Sequence, residues 1–236
     1  MKLDPAFIFT AMLQLLSSLP VTLFITVVSV FCGLLIGTVV ALIRIYRVPV
    51  LHPIAAFYVM FFRGTPMLMH LLLVYFGLPM LIDSLAAAFG WSFHSAAIPM
   101  LGFVLIAFSL TAGSYLSEVI RAAILSINRG QIEAAYSVGM TTWQALRRIV
   151  FPQAFAVSLP NLSNGLIGML HGSTLAYTVS VVEINAKALI VASTNWKFLE
   201  AFIAAALIFW GVTLVIEKAA ALLEKRLNTY NRGGVA

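Results

Sequence analysis

Polar side chains interrupt the apolar stretches of this chain at a few positions where a solute could be handled. The densest polar group in any apolar stretch contains Gly168, His171, Ser173 and Thr174. A glycine-rich helix exposes its backbone, which is tolerated at membrane depth only where protein or a water-filled cavity satisfies it. We therefore expect these four residues to form part of the wall of a solute pathway.

His70 lies in another apolar stretch, where an unpaired imidazole needs a hydrogen-bond partner or water. Two interpretations stay open. His70 lines the solute pathway, or it bonds across to a neighbouring helix and holds the two helices together.

An intramembrane enzyme would use His70 or His171 to activate the hydroxyl of Ser109, Ser114 or Ser173. No recognisable nucleophile motif surrounds these serines, and spacing alone does not bring them to a histidine. The sequence therefore favours a non-catalytic chain with no catalytic residue and no metal site.

Four charged residues are candidates for structural or gating roles. Glu118 and Arg121 are three apart on one helix face, so we expect them to pair with each other. Glu183, near the end of a later apolar stretch, belongs to an external gate or docking surface, or is a solvated helix cap, which is the simpler interpretation. Arg63 lies at the boundary of a stretch.

The elements that position these residues must lie in lipid. Of the 236 residues, 62% are hydrophobic and 9% are charged, whereas a soluble domain has about 25% charged residues. The first apolar stretch, from about 13 to 43, is too long for the core of a signal peptide and ends at Arg44 without a clear cleavage site. We interpret it as a retained span, in which the lone Cys32 offers neither a disulfide nor a metal cluster.

Five stretches are long enough to cross a bilayer as helices, which takes about 20 mostly apolar residues. They comprise residues 19–43, about 66–81, 98–125, 155 to about 182, and 198–223. Gly33 and Gly37 in the first stretch, and Gly165 and Gly168 in the fourth, either allow close helix packing or mark bends. The prediction is an all-α integral membrane protein, with residues 1–236 forming a single transmembrane domain.

Arginine and lysine set the orientation, because cytoplasmic flanks carry the excess of these residues. Three basic residues, Lys2, Lys187 and Lys197, fall on one side of the five-span arrangement, and Arg63 falls near a boundary. The other side has Arg44, Arg47, Arg121, Arg129, Arg147, Arg148, Lys218, Lys225, Arg226 and Arg232. The N-terminus and residues 76–97 are thus predicted outside and the C-terminus in the cytoplasm. This topology, rather than binding to nucleic acid, accounts for the net charge of +6.

Residues 49–62 are apolar but short, and Arg63-Gly64-Thr65-Pro66 separates them from the next stretch. They form either an interfacial helix leading into the second span, or the first part of one long span kinked at Pro66. In the second case the Arg63 side chain extends toward the interface.

Between the third and fourth spans, residues 128–152 form a polar, basic segment with helix signals. Asn128 is a candidate N-cap, with Gln131 returning the hydrogen bond, and Gly139 ends this first helix. Thr141 and Gln144 repeat the capping pattern, and a later proline marks a further boundary. Two short helices around a glycine turn would form a rigid projection.

Ala134 and Ala135 would leave one face of this projection free of bulk, and Glu133 would supply a charge for a partner. Spacing alone slightly favours the simpler interpretation, an ordinary helical loop that covers one end of the bundle.

A series of landmarks over roughly residues 21–227 resembles ABC importer permeases for polar amino acids. In order they are Arg44, Arg47, Tyr58, Phe62-Arg63-Gly64-Thr65-Pro66, Tyr115, Glu118, Arg121, Gly130-Gln131, Glu133-Ala134-Ala135, Pro152-Gln153-Ala154, Pro160, Asn164 and Ser173-Thr174-Leu175. The ordered series is far more specific than any one tripeptide. The resemblance implies a type I ABC importer permease whose residues 128–152 are the cytoplasmic EAA coupling loop. In that loop Gln131, Glu133, Ala134, Ala135 and Gly139 would couple to an ATPase.

The same resemblance implies the partners. These are a cytoplasmic ABC ATPase dimer that holds ATP and Mg, a second permease subunit of the same or a related chain, and an extracytoplasmic solute-binding protein. The location implied is the bacterial cytoplasmic (inner) membrane. The chain has no Gly-x-x-x-x-Gly-Lys-Ser/Thr phosphate loop, so this chain would bind no nucleotide itself.

One segment departs from the family pattern and bears on the substrate. Many such permeases have Lys-Asp-Thr-Ser-Leu where this chain has His171-Gly172-Ser173-Thr174-Leu175. Loss of the acidic residue argues against a site dedicated to cationic amino acids. The glycine, followed by Leu175-Ala176-Tyr177-Thr178, is similar to permeases for cystine and related sulfur compounds.

The leading hypothesis is therefore ATP-driven import of polar amino acids by alternating access, with cystine and related sulfur amino acids among the candidates. The alternative is a secondary transporter or channel without an ATPase. It would predict internal repeats and carboxylates near the membrane midplane, whereas no convincing repeat is visible and the carboxylates lie near the ends of the spans.

Overall fold

The computed structural model describes residues 3–231, which form ten α-helices and no strand. Two basic residues that bear on the orientation, Lys2 and Arg232, lie outside this range. The helices are α1 Pro5–Leu15, α2 Leu19–Ile45, α3 Leu51–Gly64, α4 Met67–Phe89, α5 Met100–Leu125, α6 Arg129–Ser137, α7 Thr142–Ala145, α8 Phe151–Gly172, α9 Ile184–Asn195 and α10 Phe198–Asn231.

Four helical segments of the described chain are long and apolar enough to cross a membrane. They are Pro5–Ile45, Met67–Phe89, Met100–Leu125 and Phe198–Leu227. A fifth crossing is present if Thr142–Val179 and Ile184–Asn195, which are bent by 54° relative to each other, count as one broken span. The all-α membrane fold is thus confirmed.

Two of the predicted spans are too short. The first begins at Pro5, because the Asp4 carboxylate caps α1 by accepting the Phe7 N–H at 3.1 Å and a short 3₁₀ turn connects α1 to α2. The second continues through Pro79 to Phe89, where an alanine-rich turn has high helix propensity. Much of the predicted 76–97 connection is therefore helical.

Residues 51–62 belong to a separate helix, α3, so the hypothesis of one long kinked span is wrong. α3 ends at Gly64, Thr65 and Pro66 are extended, and α4 starts at Met67. Proline disfavours the helical conformation in the residue before it, which explains the break at Thr65.

The core of the fold is the contact between α2 and α5, and two glycines make it possible. A Cβ atom on Gly33 would lie 2.6 Å from the Ala112 Cβ atom, and one on Gly37 would lie 2.9 Å from the Ser117 backbone nitrogen. These glycines serve close packing. Gly168 has nothing within 4 Å of such a Cβ atom, so close packing does not explain it.

A second apolar cluster joins α1 to α9 and α10. It contains Ala11, Leu15, Ile184, Ala188 and Ala204 among its buried members. An ion pair between Lys197 and Asp4, at 2.6 Å, closes this cluster at its end.

Candidate functional site

In the segment between α5 and α8, side-chain caps and a left-handed glycine mark the helix ends. The Asn128 side chain accepts the Gly130 N–H at 2.8 Å, so the N-cap is confirmed. The Gln131 side chain does not return the predicted bond to the Asn128 backbone N–H. Its side-chain oxygen instead accepts from the Gln153 side chain at 2.6 Å, which ties α6 to α8.

Gly139 ends α6 as predicted. Its φ is +81°, its N–H donates to the Tyr136 carbonyl at 2.9 Å, and the Met140 N–H donates to the Ala135 carbonyl at 3.0 Å. This is the Schellman arrangement, in which the left-handed residue is usually glycine.

The second predicted cap is also confirmed. The Thr141 hydroxyl accepts the Gln144 N–H at 3.3 Å, and the Gln144 side chain accepts the Thr141 N–H at 2.9 Å. After α7 the chain forms one π-helical stretch, Leu146–Val150, before α8.

The exposed face of α6 differs from the predicted one. Ala135 is only 2% exposed, because it lies one turn from Ile132, which packs against the bundle. Glu133, Ala134 and Tyr136 are exposed, and Val138 is 73% exposed. The accessible surface thus combines one carboxylate with small and apolar groups.

An apolar cluster attaches this segment to the spans. Val150 and Ala154 pack with Ile124 of α5, and Ile132 of α6 and Ile45 of α2 pack against them. A force applied to α6 would therefore reach the ends of three long helices. We call the end of the bundle that contains this cluster the basic end. Four arginines lie within three residues of cluster members in the sequence: Arg44, Arg121, Arg147 and Arg148.

The expected Glu118–Arg121 pair is present, with nitrogen–oxygen distances of 3.1 and 2.9 Å. Arg44 of α2 contacts the other carboxylate oxygen of Glu118. Sequence reasoning missed this second partner, because Arg44 is 74 residues away and only packing of α2 against α5 brings it near.

His70 bonds across helices. It is 1% exposed; its Nε2 lies 2.7 Å from the Thr65 hydroxyl and its Nδ1 lies 2.9 Å from the Thr111 hydroxyl of α5. The ring thereby attaches the break between α3 and α4 to α5. This agrees with the interpretation that His70 bonds across to a neighbouring helix and holds the two helices together.

The polar residues around His171 do not share one environment. His171 is exposed, with its Nε2 3.3 Å from the Thr213 hydroxyl of α10. Ser173 is fully buried and donates to the Leu170 carbonyl at 2.6 Å, whereas the half-buried Thr174 donates to the His171 carbonyl at 2.7 Å. Both histidine rings thus bond threonines, and the histidine–serine pairing that an enzyme would need is not formed by His70 or His171.

Glu183 is fully buried, so the solvated-cap interpretation is wrong about its solvation. Its two carboxylate oxygens accept the N–H groups of Asn185 and Ala186, each at 2.8 Å, and so cap α9. Burial follows from the chain packing around it: the next N–H, that of Ile184, donates to the Thr22 hydroxyl of α2 at 3.2 Å.

A cavity of about 310 Å³ lies between the start of α4, the middle of α5 and α8. Its lining residues are Met67, Thr111, Ala112, Tyr115, Leu116, Asn164, Gly165, Gly168 and Met169. Of the residues predicted to line a pathway, Gly168 lines this cavity. His70 does not line it, but Thr111, to which His70 bonds, does. The guanidinium of Arg63 lies 5.7 Å from the centre of the Tyr115 ring.

Among the described residues, no group of three or more His, Cys, Asp or Glu side chains is placed to hold a metal ion. What the geometry offers is a rigid projection at one end, a largely apolar cavity between α4, α5 and α8 with a few polar groups in its lining, and ionic contacts between helices.

Comparison with known proteins gives a consistent result. Residues 33–229 match the model of a family described as the binding-protein-dependent transport system inner membrane component. The chain is 43% identical over 196 residues, 83% of each chain, to the probable amino-acid ABC transporter permease protein PatM of Vibrio harveyi. It is 32% identical to the L-cystine transport system permease protein TcyL of Bacillus subtilis (strain 168), covering 89% of this chain and 85% of that one.

A solved structure has the same fold. A chain in a crystal structure of an amino acid ABC transporter with histidines superposes with a TM-score of 0.80 at 31% identity, covering 96% of this chain and 100% of that one.

Proposed function

This chain belongs to the family of binding-protein-dependent transport system inner membrane components and is an amino-acid ABC importer permease, and we propose that its segment 128–152 couples it to a separate ATPase. ATP, with Mg, is bound and hydrolysed on that ATPase dimer. The cycle of ATP binding, hydrolysis and product release rearranges the spans and gives solute access to one side of the membrane and then the other.

The single observation that carries this proposal is the attachment of α6. The helix exposes Glu133, Ala134 and Val138, while its other face is joined to α8 by the Gln131–Gln153 bond and to α2 and α5 by the apolar cluster around Ile132. An element that is accessible on one side and rigidly attached on the other can transmit a displacement.

The basic end of the bundle faces the cytoplasm in this proposal. Arg147 and Arg148 are exposed there beside α7, and an excess of arginine marks the cytoplasmic side. The N-terminus is then outside, where Asp4 and Lys197 pair, and the C-terminus is inside. A solute-binding protein docks on the outer end.

A second permease subunit, the same or a related chain, covers the polar face of α8. Asn161, Asn164 and His171 are exposed on this apolar helix. Polar side chains at membrane depth face protein or a water-filled cavity rather than lipid, which supports a partner subunit and a pathway on this side.

The substrates proposed are polar amino acids, with cystine and related sulfur amino acids as the first candidates. The relative TcyL is named an L-cystine permease, and the His171-Gly172-Ser173-Thr174-Leu175 segment has no acidic residue that would select a cationic side chain.

Co-purification tests the coupling assignment. The native chain, extracted in mild detergent from the source cell, is expected to retain an ABC ATPase, and both Glu133→Arg and Gly139→Trp are expected to lose it. The matched controls lie at the opposite end of the bundle: Asp83→Arg changes an exposed carboxylate, and Gly90→Trp changes a glycine with a similar φ of +67°.

The controls should retain the ATPase. Loss in the controls as well would mean general misfolding. If no ATPase is retained by the native chain, or if neither α6 variant weakens it, the coupling assignment fails and a secondary transporter or channel becomes the better hypothesis.

A further inference from the structure

We propose that a second cavity, between α2, α5 and α8 at the basic end of the bundle, holds an acyl chain of an anionic phospholipid whose headgroup is bound by Arg147 and Arg148. This cavity has a volume of about 300 Å³ and shares no lining residue with the one between α4, α5 and α8. The inference goes beyond the proposed function, because it assigns a lipid ligand to the chain whatever solute is carried.

The lining of this second cavity suits hydrocarbon. Large apolar side chains from all three helices line it: Leu34, Ile120, Phe151, Phe155 and Leu162. Its two hydroxyl groups are used within their own helices, since Thr38 donates to the Leu34 carbonyl at 2.7 Å and Ser158 donates to the Phe155 carbonyl at 3.0 Å. No charged residue lines the cavity. A zwitterionic solute would lose its hydration here without gaining partners, whereas an acyl chain has no polar group to desolvate.

The surroundings of the cavity place it beside lipid. Next to the lining residues of α2, an apolar stripe of Phe31, Leu35 and Val39 is 57–60% exposed. Phe155, which lines the cavity from α8, is itself 47% exposed. On a membrane-spanning helix such an apolar surface contacts acyl chains. A chain from the surrounding lipid can therefore enter the cavity, while the headgroup of the same molecule stays at the interface.

Arg147 and Arg148 provide the headgroup site. Both are exposed, and they precede the lining residue Phe151 by four and three residues, which is about one helical turn. Among the described residues neither takes part in an ion pair. The exposed ring of Trp143 lies 6.4 Å from the Phe151 ring, and tryptophan is typical of the headgroup level. A guanidinium group binds phosphate oxygens through parallel hydrogen bonds.

The net charge of the surrounding elements selects an anionic lipid over a zwitterionic one. The three lining helices and the π-helical stretch before α8 contain four arginines, Arg44, Arg121, Arg147 and Arg148, and one carboxylate, Glu118. Glu118 contacts both Arg44 and Arg121, so it offsets only one of these two positive charges. Basic pockets between membrane helices on the cytoplasmic side are typical sites for anionic headgroups.

The test uses the complex purified in mild detergent. It is titrated with phosphatidylglycerol and with phosphatidylcholine of identical acyl chains, and the lipid bound to each permease chain is counted by native mass spectrometry. Inorganic phosphate is added as a competitor, which separates a phospholipid site from a site for free phosphate. Phosphatidylglycerol with a photoreactive group in its acyl chain then identifies the residues that the chain contacts.

The native chain is expected to prefer phosphatidylglycerol. Arg147→Gln and Arg148→Gln should each lower this preference about fivefold, the usual contribution of one basic residue near an anionic headgroup. Lys218→Gln, which removes an exposed cation from α10, should leave the preference unchanged.

A second pair of variants tests the acyl chain. Thr38→Phe fills the cavity from α2 and should abolish cross-linking to Phe151 and Phe155. Val39→Phe adds a ring of the same size on the exposed side of α2 and should cross-link as the native chain does.

Four outcomes would overturn the site. The two lipids bind equally, the double variant Arg147→Gln/Arg148→Gln keeps the preference, phosphate displaces phosphatidylglycerol, or Thr38→Phe and Val39→Phe give the same cross-links. The last result would indicate lipid on the surface only. If the double variant does not accumulate, the Thr38 and Val39 variants decide the matter. Since ATPase co-purification is measured on the same samples, the lipid site and the coupling assignment can fail independently.

Discussion

At the scale of single residues, the arrangement around Glu118 shows how charge is accommodated in an apolar chain. One carboxylate contacts Arg44 of α2 and Arg121 of its own helix, and its side chain is only 18% exposed. Isolated charges at this depth are costly, whereas paired and hydrogen-bonded ones are tolerated. The contacts therefore join α2 to α5 at the basic end and neutralise one of the two arginines.

Glu118→Gln is expected to lower the free energy of unfolding, because it leaves two partly buried guanidinium groups without a counter-charge. A double-mutant cycle with Arg44→Gln should give a coupling free energy of about 1–3 kcal/mol. Thermal unfolding of the detergent-purified chain measures it. Glu217→Gln, at an exposed acid of α10, is the control, and an equal loss in the control would argue against the specific role of Glu118.

At the scale of elements, the fold depends on how closely α2 approaches α5. Two glycines on one face of α2 meet Ala112 and Ser117 of α5 at distances that leave no room for a methyl group. In lipid, apolar side chains give helices little reason to associate, so close backbone approach and dispersion contacts become the main attraction.

Gly33→Ala is therefore expected to destabilise the protein by about 1–3 kcal/mol, the usual range for overpacking, because the added methyl would lie 2.6 Å from the Ala112 Cβ atom. Gly211→Ala in α10, where nothing lies within 4 Å of the added carbon, should be neutral or slightly stabilising. Unfolding temperatures of the two variants decide the matter. If both variants have the same unfolding temperature, the contact between α2 and α5 has room for the added methyl group, which would contradict the prediction.

At the scale of the whole molecule, the two terminal helices are joined through a contact that spans 193 residues of chain. Lys197 bonds Asp4 at 2.6 Å. The hydrogen bond from Lys197, followed by the backbone bond from Phe7, lowers the pKa of Asp4 below its ordinary value of 3.8. The docking of α1 against α10 is thus linked to the ionisation of one carboxylate.

This lowered pKa implies an acid-sensitive contribution to stability. It is fully present above pH 3.8, the ordinary pKa, and is lost as the pH falls through the lower folded-state pKa. The native unfolding temperature should therefore drop more steeply on acidification below pH 3.8 than that of Asp4→Asn. Identical acid profiles for the two proteins would contradict the linkage.

Local features of the candidate site could be predicted from sequence. The N-cap at Asn128, the left-handed end at Gly139, the paired caps at Thr141 and Gln144, and the Glu118–Arg121 pair were all predicted. Each involves groups within about one helical turn, so the residue types and their spacing suffice. The apolar spans follow likewise from composition over about 20 residues.

Other features depended on which helix faces meet. The burial of Ala135 and Glu183, the contact of Arg44 with Glu118, the bonds of His70 to Thr65 and Thr111, and the cavity between α4, α5 and α8 all depend on residues from different helices. A single helix pattern states which side is apolar but not which neighbour it packs against, and in this chain nearly every side of each span is apolar. Residue types and their spacing were thus enough to predict that the chain lies in lipid, where most of its helices are, and how several of them end. The pairing of polar groups from different helices required the packed fold, because these contacts form only where particular helix backbones approach each other.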